Sequence, residues 1–303
     1  SSGVKFTQAL AFSNDRGRSW TKCADNPVLG HINGGNRDPK AFWHEPSGQW
    51  VIVLYLDDHR MGFFTSKDLK QWEMQSELKC FHECPELFQL AQDGDTTKQP
   101  WILYGAAGDY FVGNFDGKTY TSGGEPLHFN YGNCFYASQT FNNIPAEDGR
   151  RIQIAWGQTG HPEMPFNQMM NFPVELTLKT TPEGPRLFAW PVREIASLYG
   201  KEHVLPAMDL QEESRSLDGI GSGQYDITAV FEPGDAAEFG ITVGGLAITY
   251  STAANELRCE DKTAPLPPSD GKIQLRLLVD RLSVEIFANN GRVYMPMRHV
   301  QDK

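Results

Sequence analysis

The sequence lacks a basic run, a long apolar run, a paired set of cysteines and nearly all helical periodicity. Each absence removes a class of function. With 27 Lys and Arg against 38 Asp and Glu the formal charge is −11. That balance argues against nucleic acid as a partner and against attraction to an anionic membrane. The longest uninterrupted apolar stretch, residues 50–56, falls far short of the ~20 residues that span a bilayer. No charged-then-apolar segment opens the chain, and residues 1–3 read equally as a tag or as native loop. The five cysteines (Cys23, Cys80, Cys84, Cys134 and Cys259) are odd in number and scattered, which excludes a disulfide scaffold. Cys80 and Cys84 flank His82, but one CxxxC with one histidine lacks the second ligand pair of a zinc site. Free thiols and no metal are expected.

What is present is β structure. Residues 50–56, 101–107, 152–156, 174–178, 225–231, 246–250 and 273–279 are short apolar or alternating runs. They are rich in Ile, Val, Tyr and Trp and bounded by Gly, Pro, Asp or Asn. The 29 glycines and 19 prolines fit many short elements joined by turns. Only residues 193–199, just after Pro191, read as helical. All seven tryptophans stand before that point, Trp190 being the last, so a domain boundary is expected near residue 200.

A weak repeat marks the N-terminal part. Residues 13–20 fit S-x-D-x-G-x-x-W, a hairpin turn in which Asp15 holds turn amides, Gly17 takes a positive φ and Trp20 pins the loop to its sheet. Residues 66–72 are a shorter relative, with Asp68 and Trp72, about 52 residues further on. A four-stranded unit recurring near ~50 residues is propeller spacing. Asp15 and Asp68 therefore read as structural turn carboxylates rather than catalytic ones.

Two segments carry chemistry. In Gly34-Gly35-Asn36-Arg37-Asp38-Pro39-Lys40, the proline pushes Asp38 towards extended backbone and Arg37 offers a fork of donors that keeps a carboxylate ionised. In Glu83-Cys84-Pro85-Glu86-Leu87-Phe88, a glutamate precedes a Cys-Pro corner leading into a strand. Either carboxylate alone reads as well as a turn or a cap. The ordered set is more specific: the Asp hairpin, Asn-Pro-Val-Leu at 26–29, Arg-Asp-Pro, Asp-Leu-Lys-x-Trp, then Glu-Cys-Pro.

That order resembles glycoside hydrolase family 32, the β-fructosidases. The resemblance continues through residues 135–141, 150–156, 172–178 and 190–192, and ends in residues 279–292. It implies an all-β chain: a five-bladed β-propeller over residues 1–200, partial here, followed by a β-sandwich over 201–303. It also implies retaining hydrolysis of terminal β-fructofuranosyl bonds in sucrose or fructans, with two carboxyl groups ~5–5.5 Å apart. Carried over by motif, Glu83 is the acid/base, Asp38 the transition-state stabiliser, Arg37 a residue that fixes Asp38 and reaches the sugar, and Tyr136 part of the pocket wall. A carboxyl such as Glu83 acts best with its pKa raised towards neutrality. No cofactor is implied, and the ligand implied is a fructosyl sugar.

The sequence departs from the family at the nucleophile, which belongs to a Trp-Met-Asn-Asp-Pro-Asn-Gly-type motif found nowhere here. About 35 residues precede Arg-Asp-Pro, so the first blade and part of the second are expected to be absent, and the sandwich to be shortened. A chain of this kind is expected to be inactive alone and to cover exposed propeller edges by pairing with another copy. Phe81 stands where relatives carry a second acid, and residues 157–161 replace an expected tryptophan. Polymeric substrates imply an extracellular or periplasmic setting; unpaired cysteines lean the other way. Two other readings compete: a non-catalytic fructan-binding or scaffold protein, and a different five-bladed glycosidase such as an arabinan-acting enzyme.

Overall fold

The computed structural model describes residues 5–160, 165–210, 216 and 223–300. Residues 1–3 and His161 lie outside the described residues. A two-stranded ribbon comes first, β1 (Ala11–Phe12) with β2 (Thr21–Lys22). Three antiparallel meanders follow. The first pairs β3 (Arg37–His44), β4 (Gln49–Asp57), β5 (Arg60–Ser66) and β6 (Glu73–Lys79) in chain order. The second pairs β7 (Glu86–Gln89), β8 (Trp101–Tyr104), β9 (Asp109–Phe115) and β10 (Tyr120–Ser122), with β11 (Leu127–His128) also on β9. The third holds β12 (Tyr136–Thr140) and β13 (Arg151–Gly157), with the short β14 (Met169–Met170) on β13. It closes with β15 (Val174–Thr181) and β16 (Gly184–Pro191).

A 3-10 helix, Arg193–Leu198, stands where residues 193–199 read as helical. Two four-stranded sheets come next. The strand β17 (Tyr225–Phe231) opens one of them. The other is built from β18 (Glu238–Val243), β19 (Leu246–Ser251), β20 (Glu256–Cys259) and β21 (Lys262–Pro265). Then β22 (Ile273–Val279), β23 (Ser283–Ala288) and β24 (Val293–Arg298) complete the first in the order β17-β22-β23-β24. Their inner faces share one core, in which Ile248, Tyr250 and Leu257 meet Leu275, Leu277 and Ile286. This is a sandwich. The chain is all-β, as its periodicity requires.

The elements follow from local sequence. The β4 run is apolar without alternation because both its faces are covered: Val51 to Leu56 are all buried. The β15 strand alternates, with Val174, Leu176 and Leu178 inward. The run at 101–107 is shorter than its composition indicates. It stops as a strand at Tyr104, because Gly105 N donates to Asp109 O and Gly108, at φ 100°, reverses the chain.

Both turn carboxylates do what their spacing requires. Asp15 accepts from Ser19 N at 2.8 Å, and Asp68 accepts from Lys70 N at 2.9 Å and Gln71 N at 3.0 Å. The Ser19 hydroxyl and amide hold Asp15 down at about 2. The tryptophans differ. Each indole closes its own turn, Trp20 on Gly17 O and Trp72 on Leu69 O, both at 3.0 Å. Trp72 also packs against a core cluster, whereas Trp20 is 65% exposed. The expectation that Trp20 pins its loop to a sheet fails, since its turn joins a ribbon of two-residue strands.

The first strands of the three meanders are tied by a buried knot. Lys40 Nζ of β3 lies 2.8 Å from Glu86 Oε1 of β7 and donates to Thr140 O of β12 at 2.6 Å. The Thr140 hydroxyl and amide donate to Glu86 Oε2 at 2.5 and 3.2 Å. The sandwich is stitched on just as closely. Tyr131 N donates to Tyr294 O, Cys134 N to Pro296 O and Ala189 N to Gly291 O, all within 3.1 Å. Glycine is required at that seam: a Cβ on Gly132 would sit 1.9 Å from Pro296 O, and one on Gly291, at φ 88°, 2.1 Å from Ala189 O.

Candidate active site

The knot fixes the strands whose ends carry the motif residues. Arg37 and Asp38 open β3, Glu83 lies in the loop that leads into β7, and Tyr136 opens β12. Before β3, the buried Asn36 side chain accepts from Ile32 N at 3.0 Å and Asn33 N at 3.3 Å, shaping the Gly34-Gly35 turn. The register shifts between Arg37 and Lys40 on β3 and between Tyr136 and Gln139 on β12. Such bulges re-aim side chains next to sites.

The backbone here is unusual. Asp38 (φ 59°), Glu83 (φ 51°), Cys84 (φ 42°) and Ala137 (φ 48°) all occupy the left-handed region that favours glycine. For Asp38 this overturns the extended conformation expected from the following proline. The bulge in β3 overrides the local steric preference.

The structure brings Arg37, Asp38, Glu83 and Tyr136 together, but not in the expected pairing. The Arg37 guanidinium turns to Glu83, donating from Nε to Oε1 at 3.1 Å and from Nη2 to the same oxygen. Its Nη1 donates to Gly35 O at 2.6 Å, and the group lies 4.8 Å over the Tyr55 ring. Asp38 is 3.8 Å from Arg37 Nε, a weaker contact than foreseen. Its own donors come from Cys84, whose amide reaches Oδ2 at 3.2 Å and whose thiol lies 3.6 Å away. Tyr136 donates its hydroxyl to Glu83 Oε2 at 2.6 Å.

Electrostatics follow from these contacts. Burial pushes the Glu83 carboxyl up, but the Tyr136 hydroxyl and the Arg37 guanidinium outweigh it and hold it below the usual range. The raised pKa that suits an acid catalyst is not found at Glu83, because the Arg37 guanidinium and the Tyr136 hydroxyl face it. Burial and the Asp38 charge push the Cys84 thiol up to about 12, so it serves as a donor and not as a nucleophile. Burial and the Glu83 carboxylate likewise raise Tyr136. Phe81 is core: it is buried and its ring lies 4.8 Å from that of Phe111.

Sequence reasoning missed three participants. Cys84 stood in the Glu-Cys-Pro motif but was weighed only as a metal ligand, as was His82, whose Nε2 lies 3.5 Å from Glu83 Oε2. Tyr55 sits in the middle of an apolar run, and its contact with Arg37 has no local signal. Among the described residues no group of three His, Cys, Asp or Glu side chains is arranged to hold a metal ion. An open cavity of about 450 Å³ lies beside Tyr136, lined by Trp156, Gln158, Thr159, Gly160, Gln168 and Arg298. The Trp156 ring meets that of Tyr136 edge-on at 6.2 Å.

The chain belongs to the class of glycoside hydrolases. More narrowly, the chain belongs to glycosyl hydrolases family 32, its residues 2–191 matching the N-terminal domain of that family and 194–298 its C-terminal domain. A levanase of Bacillus subtilis (strain 168) is 35% identical over 94% of this chain and 49% of its own length. An extracellular exo-inulinase of Aspergillus ficuum is 27% identical over 94% of this chain and 65% of its own length. The chain thus spans about half of the levanase. Among solved structures, an exo-inulinase from Aspergillus awamori superposes with a TM-score of 0.79 at 24% identity, covering 98% of this chain and 69% of that one. A fructofuranosidase from Schwanniomyces occidentalis complexed with fructosylnystose gives 0.79 at 23% identity, covering 97% of this chain and 70% of that one. The fold is that of the family, a propeller joined to a sandwich.

Proposed function

We propose that this site serves hydrolysis of terminal β-fructofuranosyl bonds in sucrose or fructans by a retaining, two-carboxylate mechanism. One observation supports the reading: Asp38 and Glu83, far apart in sequence, are both partly exposed and are brought together through Arg37, Cys84 and Tyr136. Glu83 protonates the leaving oxygen and then activates water. Asp38 accepts hydrogen bonds from fructosyl hydroxyls, which strengthen as positive charge grows on the ring. Arg37 holds the conjugate base of Glu83, and Tyr136 walls the pocket and aims the carboxyl. The nucleophile is a third carboxylate, distinct from Asp38 and Glu83 and outside the motifs of these 303 residues, so this stretch alone is inactive on this reading. Residues 1–200 form the propeller part and 201–303 the sandwich part of the working unit.

The test measures fructose released from sucrose, inulin and levan by a whole protein carrying this chain. Glu83→Gln is expected to cut the rate by about 10³-fold or more, and an unchanged rate removes Glu83 from the chemistry. Asp38→Asn is expected to lower kcat at least as strongly as it raises KM; an effect on KM alone reduces it to ordinary binding. Release of fructose by the 303-residue chain alone defeats the claim about the nucleophile. One observation favours a second reading, a non-catalytic fructan-binding protein: Glu83 is held ionised rather than poised to give a proton. Fructan binding by a whole protein that hydrolyses none of the three substrates supports that alternative.

A further inference from the structure

Two asparagines of the chain precede a glycine, Asn33 before Gly34 and Asn290 before Gly291. That dipeptide is chemically labile. With no Cβ in the way, the glycine nitrogen can reach the asparagine side-chain carbon and close a five-membered ring. The reaction needs an amide nitrogen free to give up its proton and a side chain free to swing onto it. The fold grants both freedoms to one pair and denies them to the other.

Asn33 and Gly34 are both exposed. They stand in the turn that leads into β3, which Asn36 N closes on Asn33 O at 3.0 Å. Among the described residues no hydrogen bond engages Gly34 N or the Asn33 side-chain amide. Asn290 is exposed too, but it lies in the hairpin between β23 and β24, and Gly291 is buried. There Gly291 N donates to Ala288 O at 3.1 Å, and Gly291 O accepts from Ala189 N at 3.0 Å across the seam. Turning Gly291 N onto a side chain breaks the first bond and strains the second.

We propose that Asn33 is a site of spontaneous covalent modification, deamidating through a cyclic imide with Gly34 while Asn290 stays intact, and that the product loosens the Arg37 clamp on Glu83. The modification is independent of the function proposed above; only its cost to hydrolysis rests on that reading. Gly34 N gives its proton to water and attacks Asn33 Cγ. The N–Cγ bond forms, the Cγ–Nδ2 bond breaks, and ammonia leaves with a proton returned by water. A second water opens the imide at either carbonyl. Opening at Cγ gives aspartate; opening at the main-chain carbonyl gives isoaspartate, whose chain runs on through Cβ and Cγ. In sum an amide and water become a carboxylate and ammonium, and nothing is oxidised or reduced.

Isoaspartate adds one atom to the main chain of a turn that has no slack. Asn36 Oδ1 holds Ile32 N at 3.0 Å and Asn33 N at 3.3 Å, and Gly35 N donates to Asp57 Oδ2 at 3.1 Å. Even a Cβ on Gly34, at φ 42°, would sit 2.1 Å from that carboxylate oxygen. Gly35 O in turn anchors Arg37 Nη1 at 2.6 Å. Displacing that oxygen frees the guanidinium that holds Glu83.

The experiment incubates the 303-residue chain for weeks at pH 8 and maps its peptides by mass spectrometry, with fragmentation that distinguishes isoaspartate. A gain of about 1 Da is expected at Asn33, at least about tenfold faster than at Asn290, whose glycine must first leave its hydrogen bond. The Nε–H resonance of Arg37, assigned by its loss in Arg37→Lys, is expected to move to a second position as product accumulates. Asn33→Gln, whose extra methylene disfavours the ring, keeps both its mass and the Arg37 signal. Asn33→Asp carries the charge without the extra main-chain atom and leaves the Arg37 signal in place. No conversion at Asn33, or equal conversion at Asn33 and Asn290, overturns the proposal. An unmoved Arg37 signal in the converted chain, or an equal displacement in Asn33→Asp, overturns the link to the clamp. Conversion with a displaced Arg37, in a whole protein that releases no fructose, upholds this inference and sinks the hydrolase reading instead.

Discussion

Glu83 at the opening and Glu285 at the seam between propeller and sandwich are built from similar parts and end in opposite states. Each accepts a tyrosine hydroxyl, Glu83 from Tyr136 at 2.6 Å and Glu285 from Tyr294 at 2.7 Å. Glu285, however, is fully buried, receives Phe172 N at 2.8 Å and Asn171 Nδ2 at 3.2 Å, and forms no ion pair with a guanidinium or ammonium among the described residues. Burial pushes its carboxyl up to about 7 against those hydrogen bonds. Glu83 keeps a fifth of its side chain in solvent, shares its oxygens with Arg37, and stays below the usual range. A tyrosine donor therefore does not decide the state of a carboxyl; depth and a cation do. Glu86 stands between them, buried like Glu285 but beside Lys40.

The largest expected effect comes from making Glu86 resemble Glu285. Lys40→Met leaves a carboxylate buried without its cation and is expected to cost about 4 kcal/mol. Urea unfolding at pH 7 measures it, and unchanged stability breaks the claim that the cation matters at depth. Next comes Glu285 itself. The carboxyl is referred to 4.5 when unfolded and stands at about 7 when folded. Between those values the folded protein keeps a proton that the unfolded chain has released. The contribution is therefore complete below about pH 4.5 and is lost as pH rises to 7, a decline of about 3 kcal/mol. Glu285→Gln is expected to flatten that decline, and denaturant midpoints at pH 5 and pH 8 compare the two proteins. The smallest effect is at the opening. Tyr136→Phe removes one donor from a half-buried carboxylate and, on the proposed function, is expected to slow fructose release by a whole protein carrying this chain about tenfold. It also moves the Glu83 titration upward, towards Glu285.

How much of this was legible in the sequence depends on range. The strands, the two Asp turns and the gathering of Arg37, Asp38, Glu83 and Tyr136 follow short motifs in order, and short motifs are local. The pairing within the site is not local. Arg37 chooses Glu83 over its neighbour Asp38 because a bulge turns β3, and Cys84 then supplies Asp38 with its donors. The exposure of Trp20 against the packing of Trp72 depends on whether a full sheet underlies the turn. Glu285 gave no signal at all. It sits in β23, whose six residues are all buried, and its donors arrive from residues 171–172, far away in the sequence.

The left-handed backbone at Asp38, Glu83, Cys84 and Ala137 carries a further consequence. Each such residue costs about 1 kcal/mol or more relative to an unstrained one. A sequence chosen for stability alone would put glycine there. This one puts two acids, a thiol and an alanine instead, and takes the loss where Asp38 and Glu83 meet Arg37, Cys84 and Tyr136. The Lys40 knot lies outside that spot, and none of Lys40, Glu86 and Thr140 takes a positive φ. The knot secures the fold without such strain, whereas the site surrenders stability in exchange for aim.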